Sequence, residues 1–172
     1  LASNSIGESN HYLSTQLLSL INLYTNIDSQ IDNLDQQIST SIKELNPKYL
    51  SIPGVGELSA AIIYSEYGDL SKFDSPAQML SFAGLEPGYF QSGTSSFTGH
   101  MVKHGSSHLR YTLMNLSYPL MLFNPCFAKY YQKKRDEGKP HRVACSHLVK
   151  KFLRVIFTLE KKNLTFDKSL LV

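Results

Sequence analysis

Leu50-Ser51-Ile52-Pro53-Gly54-Val55-Gly56-Glu57-Leu58-Ser59-Ala60-Ala61 is a short apolar run, a Gly-Val-Gly step and a helix start rich in small residues. This is the pattern of a helix-hairpin-helix. Two glycines permit a tight turn and a close backbone approach. The amide N–H groups at the following helix start suit a phosphate oxygen. Gly54 and Gly56 are therefore candidate nucleic-acid-binding positions. Against this, Glu57 stands at the helix start and no Lys or Arg adjoins the turn. A plain helical hairpin fits the same residues, and both readings stand.

Upstream, residues 10–45 read as one amphipathic helix. Leu17, Leu20, Tyr24, Ile27, Ile31, Leu34, Ile38, Ile42 and Leu45 recur at steps of three and four, a heptad seam. Such a helix is about 50 Å long. A stripe so narrow on a helix so long calls for a partner helix, in a second copy or elsewhere in the chain. Asn46-Pro47 ends it, because the residue before proline is pushed out of the α region.

Downstream, the punctuation stays helical. Gly68 follows the second hairpin helix. Asp74 or Ser75 caps a helix opened by Pro76 and closed by Gly84. Residues 85–103 form a Gly/Ser-rich loop in which Phe90 and Phe97 support a short β-hairpin. Ser106 or Ser107 caps a helix running to about Phe123, with a kink expected at Pro119. Asn124-Pro125 opens another, ended by Gly138, and Lys139-Pro140 opens the last, to about Lys162. The tail after Asn163 is expected to be loosely held. The expected class is all-α: a coiled-coil arm at 1–46, a compact helical bundle at 47–163 containing the helix-hairpin-helix, and a tail at 164–172.

The bulk properties narrow the function. The chain has 172 residues, 42% of them hydrophobic, enough for one domain with a real core. No apolar run reaches the 18 or so residues of a membrane span, so no membrane partner is expected. The polar start shows no signal-peptide pattern. The absence of an initial Met is read as the mark of a fragment. Cys126 and Cys145 read as reduced thiols of a cytosolic protein. The net charge of +3 hides an asymmetry. Residues 1–98 hold three basic and ten acidic residues, a net of −7; residues 99–172 hold fourteen basic and four acidic, a net of +10. A split of this size points to a polyanion on the second part. Lys129, Lys133, Lys134 and Arg135, then Lys150, Lys151 and Arg154, have helical spacing with Tyr130, Tyr131 and Phe152 among them. They suit backbone contact or base stacking, or else a solvated face over a core of rings.

Ser92 sits in Gln91-Ser92-Gly93, between two helical patterns and ahead of Lys103-His104-Gly105 and Leu109-Arg110. From the residues alone, a serine in such a loop is ordinarily a turn former. No Gly-x-Ser-x-Gly elbow is present, nor any His/Cys/Asp/Glu spacing that suits a metal.

The ordered set Ile52-Pro53-Gly54-Val55-Gly56, Ala60-Ala61, Phe73, Gly84-Leu85-Glu86-Pro87, Ser92-Gly93, Lys103-His104-Gly105, Leu109-Arg110, Tyr130-Tyr131 and Gly138-Lys139-Pro140 resembles the C-terminal domain of a transposase family. This is the insertion-sequence family that contains the Piv DNA invertase, often called DEDD transposases. The resemblance covers about residues 48–160. It implies that Ser92 is a nucleophile on DNA. It also implies that a coiled coil, here residues 17–45, links this domain to a RuvC-like domain. That second domain carries four acidic residues that bind divalent metal, and it is missing here. No metal or other cofactor is therefore expected in this chain, Mg2+ is expected in the missing N-terminal domain, and the chain alone is expected to be inactive. The implied partners are DNA, a structured guide RNA and further copies of the chain through the coiled coil, in the bacterial cytoplasm at the nucleoid. Lys103, His104 and Arg110 would hold phosphates near the loop, Gly93 would allow close backbone approach, and Lys133 and Lys134 would add backbone contact. Arg110 has an alternative as a cap on a neighbouring helix or a partner of Glu86. Two rivals remain open: a non-catalytic helix-hairpin-helix DNA-binding module, and a coiled-coil interaction domain whose basic half meets an acidic protein.

Overall fold

A computed structural model of the chain describes residues 11–92 and 95–167; of residues 87–92 and 95–100 it describes the backbone. The elements are α1 (His11–Leu45), α2 (Glu57–Tyr67), α3 (Pro76–Phe82), β1 (Pro87–Ser92), β2 (Ser95–Met101), α4 (Ser107–Phe123), α5 (Pro125–Asp136) and α6 (His141–Lys162), with 3₁₀ turns at Lys48–Ser51 and Leu70–Lys72. The chain divides into two units, residues 1–40 and 41–172.

The first unit contains α1 up to Thr40. Its seam residues Leu17, Leu20, Tyr24, Ile27, Ile31 and Leu34 are all exposed. The second unit begins inside the same helix, because Ile42 is buried in the core.

The second unit is a helical bundle built around α6, which packs against α3, α4, α5 and both 3₁₀ turns. Its buried face is Ala144, Leu148, Val149, Phe152, Leu153, Ile156 and Leu159, at three- and four-residue steps. Phe152 meets Phe127 edge-on, so this ring belongs to the core rather than to a stacking surface. Tyr67 and Tyr49 are buried rings whose hydroxyls donate to the carbonyls of Met79 (2.8 Å) and Ala60 (3.2 Å). Burial pushes both phenols well above their usual range.

The caps follow the sequence. Ser75, Ser106 and Asn124 accept from Gln78, Leu109 and Cys126 N–H groups. The short β-hairpin expected around Phe90 and Phe97 is present: β1 and β2 pair antiparallel, Phe90 opposite Phe97 and Ser92 opposite Ser95, with an irregularity between Pro87 and Tyr89. Two details differ from the expectation. The element before the Gly-Val-Gly turn is a single 3₁₀ turn, Lys48–Ser51, where the pattern led one to look for a helix. The described part of the tail is held at Leu164 and Phe166: Leu164 N–H donates to Leu159 O, Phe166 N–H donates to Ser51 Oγ at 2.8 Å, and the Phe166 ring packs on the core. Apolar Leu164 and Phe166 supply the reason. Among the described residues no helix is long and apolar enough to cross a membrane.

Candidate nucleic-acid interface

The β-hairpin grows from a neck where two backbone segments cross. Lys103 N–H donates to Gly84 O, and Val102 N–H donates to Glu86 O at 2.9 Å. A β-carbon on Gly84 would run into His104 O, and one on Gly105 would run into Phe82 O. Both residues also have positive φ, so only glycine fits either position. Arg110, one turn into α4, closes the neck. Its Nη1 donates to Ala83 O and to Lys103 O, each at 3.3 Å. The capping alternative for Arg110 is thus what the geometry shows, and the guanidinium keeps further donors for a ligand.

Ser92 is the last residue of β1, at the hairpin tip, paired with Ser95. A strand rises about 3.3 Å per residue, so the tip stands on the order of 20 Å beyond Glu86. The Ser92 side chain and all of Gly93 lie outside the described residues. A two-stranded ribbon is marginal on its own, and here its base is fixed by the glycine crossing and Arg110.

Beside the neck runs a groove of about 930 Å³ between α4 and α6. It brings Lys103 and Arg110 together with Tyr111, Tyr118 and Arg142. Tyr111 and Tyr118, seven residues apart on one face of α4, are 70% and 68% exposed, unusual for rings of that size. Their spacing was available in the sequence as a period-seven aromatic pair. Arg142 was not legible, since only the α4–α6 packing brings it alongside.

The other expected residues lie elsewhere. His104 points to a shallow depression with Lys72, Phe73 and Asp74. Lys133 is exposed on α5, in an open depression with Lys129 and Asp136. Lys134 bonds Glu137 at 2.8 Å, which holds its ammonium pKa up and the Glu137 carboxyl pKa down. Gly54, with φ of 100°, lies against α4, where an added β-carbon would meet Pro119 O at 2.6 Å. Gly56, the N-cap of α2, has open space around it. Near it, Lys43 pairs with Glu57 at 2.8 Å.

Residues 48–132 match the family model described as Transposase IS116/IS110/IS902 family. The match takes in the Gly-Val-Gly turn, the neck, the hairpin, α4 and most of α5. Among curated relatives, an uncharacterized 43.6 kDa protein of insertion element IS110 from Streptomyces coelicolor is 31% identical over 153 residues, covering 88% of this chain and 38% of the relative. The pilin gene-inverting protein of Moraxella bovis is 27% identical over 148 residues, 83% of this chain and 46% of the relative. The transposase for insertion sequence element IS1111A of Coxiella burnetii is 31% identical over 121 residues, 67% of this chain and 32% of the relative. The chain spans less than half the length of each of these relatives.

Proposed function

We propose that this chain, whose residues 48–132 match the Transposase IS116/IS110/IS902 family model, is the serine-bearing, nucleic-acid-binding part of a DNA recombinase of the Piv type. The observation that carries the reading is the glycine neck. It fixes the root of a ribbon ending at Ser92 beside a groove edged by Lys103, Arg110 and Arg142.

The chemistry is a transesterification. Ser92 Oγ forms a bond to a DNA phosphorus, the bond from that phosphorus to one sugar oxygen breaks, and the proton lost by serine ends on the departing sugar hydroxyl. One phosphodiester is replaced by another, so the step needs no external energy source and can be reversed to rejoin strands. Serine is a weak nucleophile at neutral pH and needs a base. Lys103 and Arg142 hold phosphates, with α4's N-terminus adding its partial positive charge. Tyr111 and Tyr118 offer faces for stacking. Among the described residues no three of His, Cys, Asp and Glu converge closely enough to hold an ion. These residues do not fit a divalent cation, and no step here runs through one. In this reading Mg2+ belongs to a RuvC-like domain of the longer protein, and the chain by itself does not recombine DNA. DNA and an RNA guide share the basic surfaces, the seam of α1 joins copies of the protein, and the site of action is the bacterial cytoplasm.

The test is transposition or inversion of a marked element by the full-length protein that contains this chain. Ser92→Ala is expected to bring recombination below detection while leaving DNA retention on a filter intact. A mutant recombining at the unmodified rate overturns the assignment of Ser92.

A further inference from the structure

A second cavity lies away from the neck, where α5, α6 and the tail meet. It measures about 400 Å³, and Tyr130, Lys151, Arg154, Val155, Leu159 and Phe166 line it. Its inner wall is apolar, and its rim carries two cations, Lys151 and Arg154, and one carboxylate, Asp167. Lys151 Nζ lies 4.6 Å from the centre of the Tyr130 ring, and Lys134 Nζ lies 5.6 Å from the same ring. The first contact holds the Lys151 ammonium group at the mouth, whereas Lys134 is ion-paired with Glu137. A pocket with apolar walls under a rim of net positive charge fits a ligand with a flat apolar part and an anionic part.

We propose that this cavity takes one unpaired nucleobase of a single-stranded nucleic acid, with the adjoining phosphates on Lys151 and Arg154. The proposal rests on the nucleic-acid reading above and adds a site to it. Size decides against a duplex. The cavity is at the low end of the volumes that hold small ligands, about 300–1,000 Å³, room for one splayed nucleotide. Charge complementarity decides against an apolar peptide, because Lys151 and Arg154 stand on its rim against the single carboxylate of Asp167. Single-strand binders commonly pair an aromatic platform with a cationic track, and the base contact is tolerant of sequence.

The experiment uses this chain with twelve-residue strands of deoxythymidine or of uridine, each carrying one 2-aminopurine, and the duplex of the same DNA length. Thr158 is an exposed residue at the cavity edge. Thr158→Trp fills the cavity and is expected to weaken single-strand binding about tenfold, to abolish the 2-aminopurine response, and to leave duplex affinity unchanged. Lys151→Gln keeps the walls and is expected to weaken single strands several-fold with a salt slope lower by about one. A loss with the uridine strand alone assigns the site to RNA, with the thymidine strand alone to DNA, and with both to either; all three support the proposal. Unchanged single-strand affinity and 2-aminopurine signal in both variants, with circular dichroism showing them folded, overturns it. The readout is binding and not strand transfer. A failed pocket therefore leaves the Ser92 assignment standing, and a recombining Ser92→Ala protein leaves the pocket standing.

Discussion

At Gly54 the space for a β-carbon is already taken by the carbonyl oxygen of Pro119, and φ is 100°. Gly54→Ala is therefore expected to cost about 2 kcal/mol or more of stability, from the strained backbone and the clash together. Gly56 is open on all sides, and Gly56→Ala should cost no more than about 1 kcal/mol, the scale of a cap exchange. Thermal unfolding of the two variants checks the difference; equal losses would contradict this packing. The need for glycine was legible in Gly54-Val55-Gly56, but the reason was not, because Pro119 is distant in sequence. A DNA-binding test of the turn belongs on Gly56 alone. His147 makes a second point at this scale. Burial lowers its pKa, with Lys150, Lys134 and Lys139 adding to the effect and Glu137 opposing it. A base harder to protonate when folded contributes stability that is present above the unfolded value, near 6.5, and is lost as pH falls through the depressed folded value. Chemical denaturation from pH 7.5 to 5 should show that decline, and His147→Gln should flatten it; parallel curves would contradict the assignment.

At the scale of elements, the neck and groove make separable predictions. Lys103→Ala and Arg142→Ala should each weaken DNA binding and lower the slope of log affinity against log salt by about one, with melting temperature unchanged. Arg110→Ala should instead lower the melting temperature, because the guanidinium holds the Ala83 and Lys103 carbonyls. Salt titrations and melts on the same three variants separate the two roles. If all three behave alike, the division between ligand contact and scaffold fails. The helices and their caps were readable residue by residue, since Ser75, Ser106, Asn124 and the prolines act within one turn. The hairpin was readable only in its Phe90–Phe97 pair, because strand pairing depends on a partner that local composition does not reveal. The groove itself was not readable: it exists only once α4 and α6 pack.

At the scale of the whole molecule, the long seam was legible as the helix α1, and the charge split is what the proposed nucleic-acid contact rests on; both are properties of many residues that survive local error. The exposed apolar residues Leu17, Leu20, Tyr24, Ile27, Ile31 and Leu34 lead us to expect self-association. Sedimentation equilibrium should show a concentration-dependent oligomer that Leu20→Asp with Ile27→Asp shifts to monomer; a wild-type monomer at all concentrations would contradict it. The proposed nucleophile belongs to this scale too, since its assignment rests on an ordered set of motifs and not on Ser92's own neighbourhood. The most direct measurement is to quench the full-length protein on its DNA in denaturant, digest both, and map any nucleotide adduct by mass spectrometry. The account predicts a nucleotide phosphate on the peptide containing Ser92, absent from Ser92→Ala. An adduct on another residue, or recombination with no protein–DNA adduct at any time point, would contradict it.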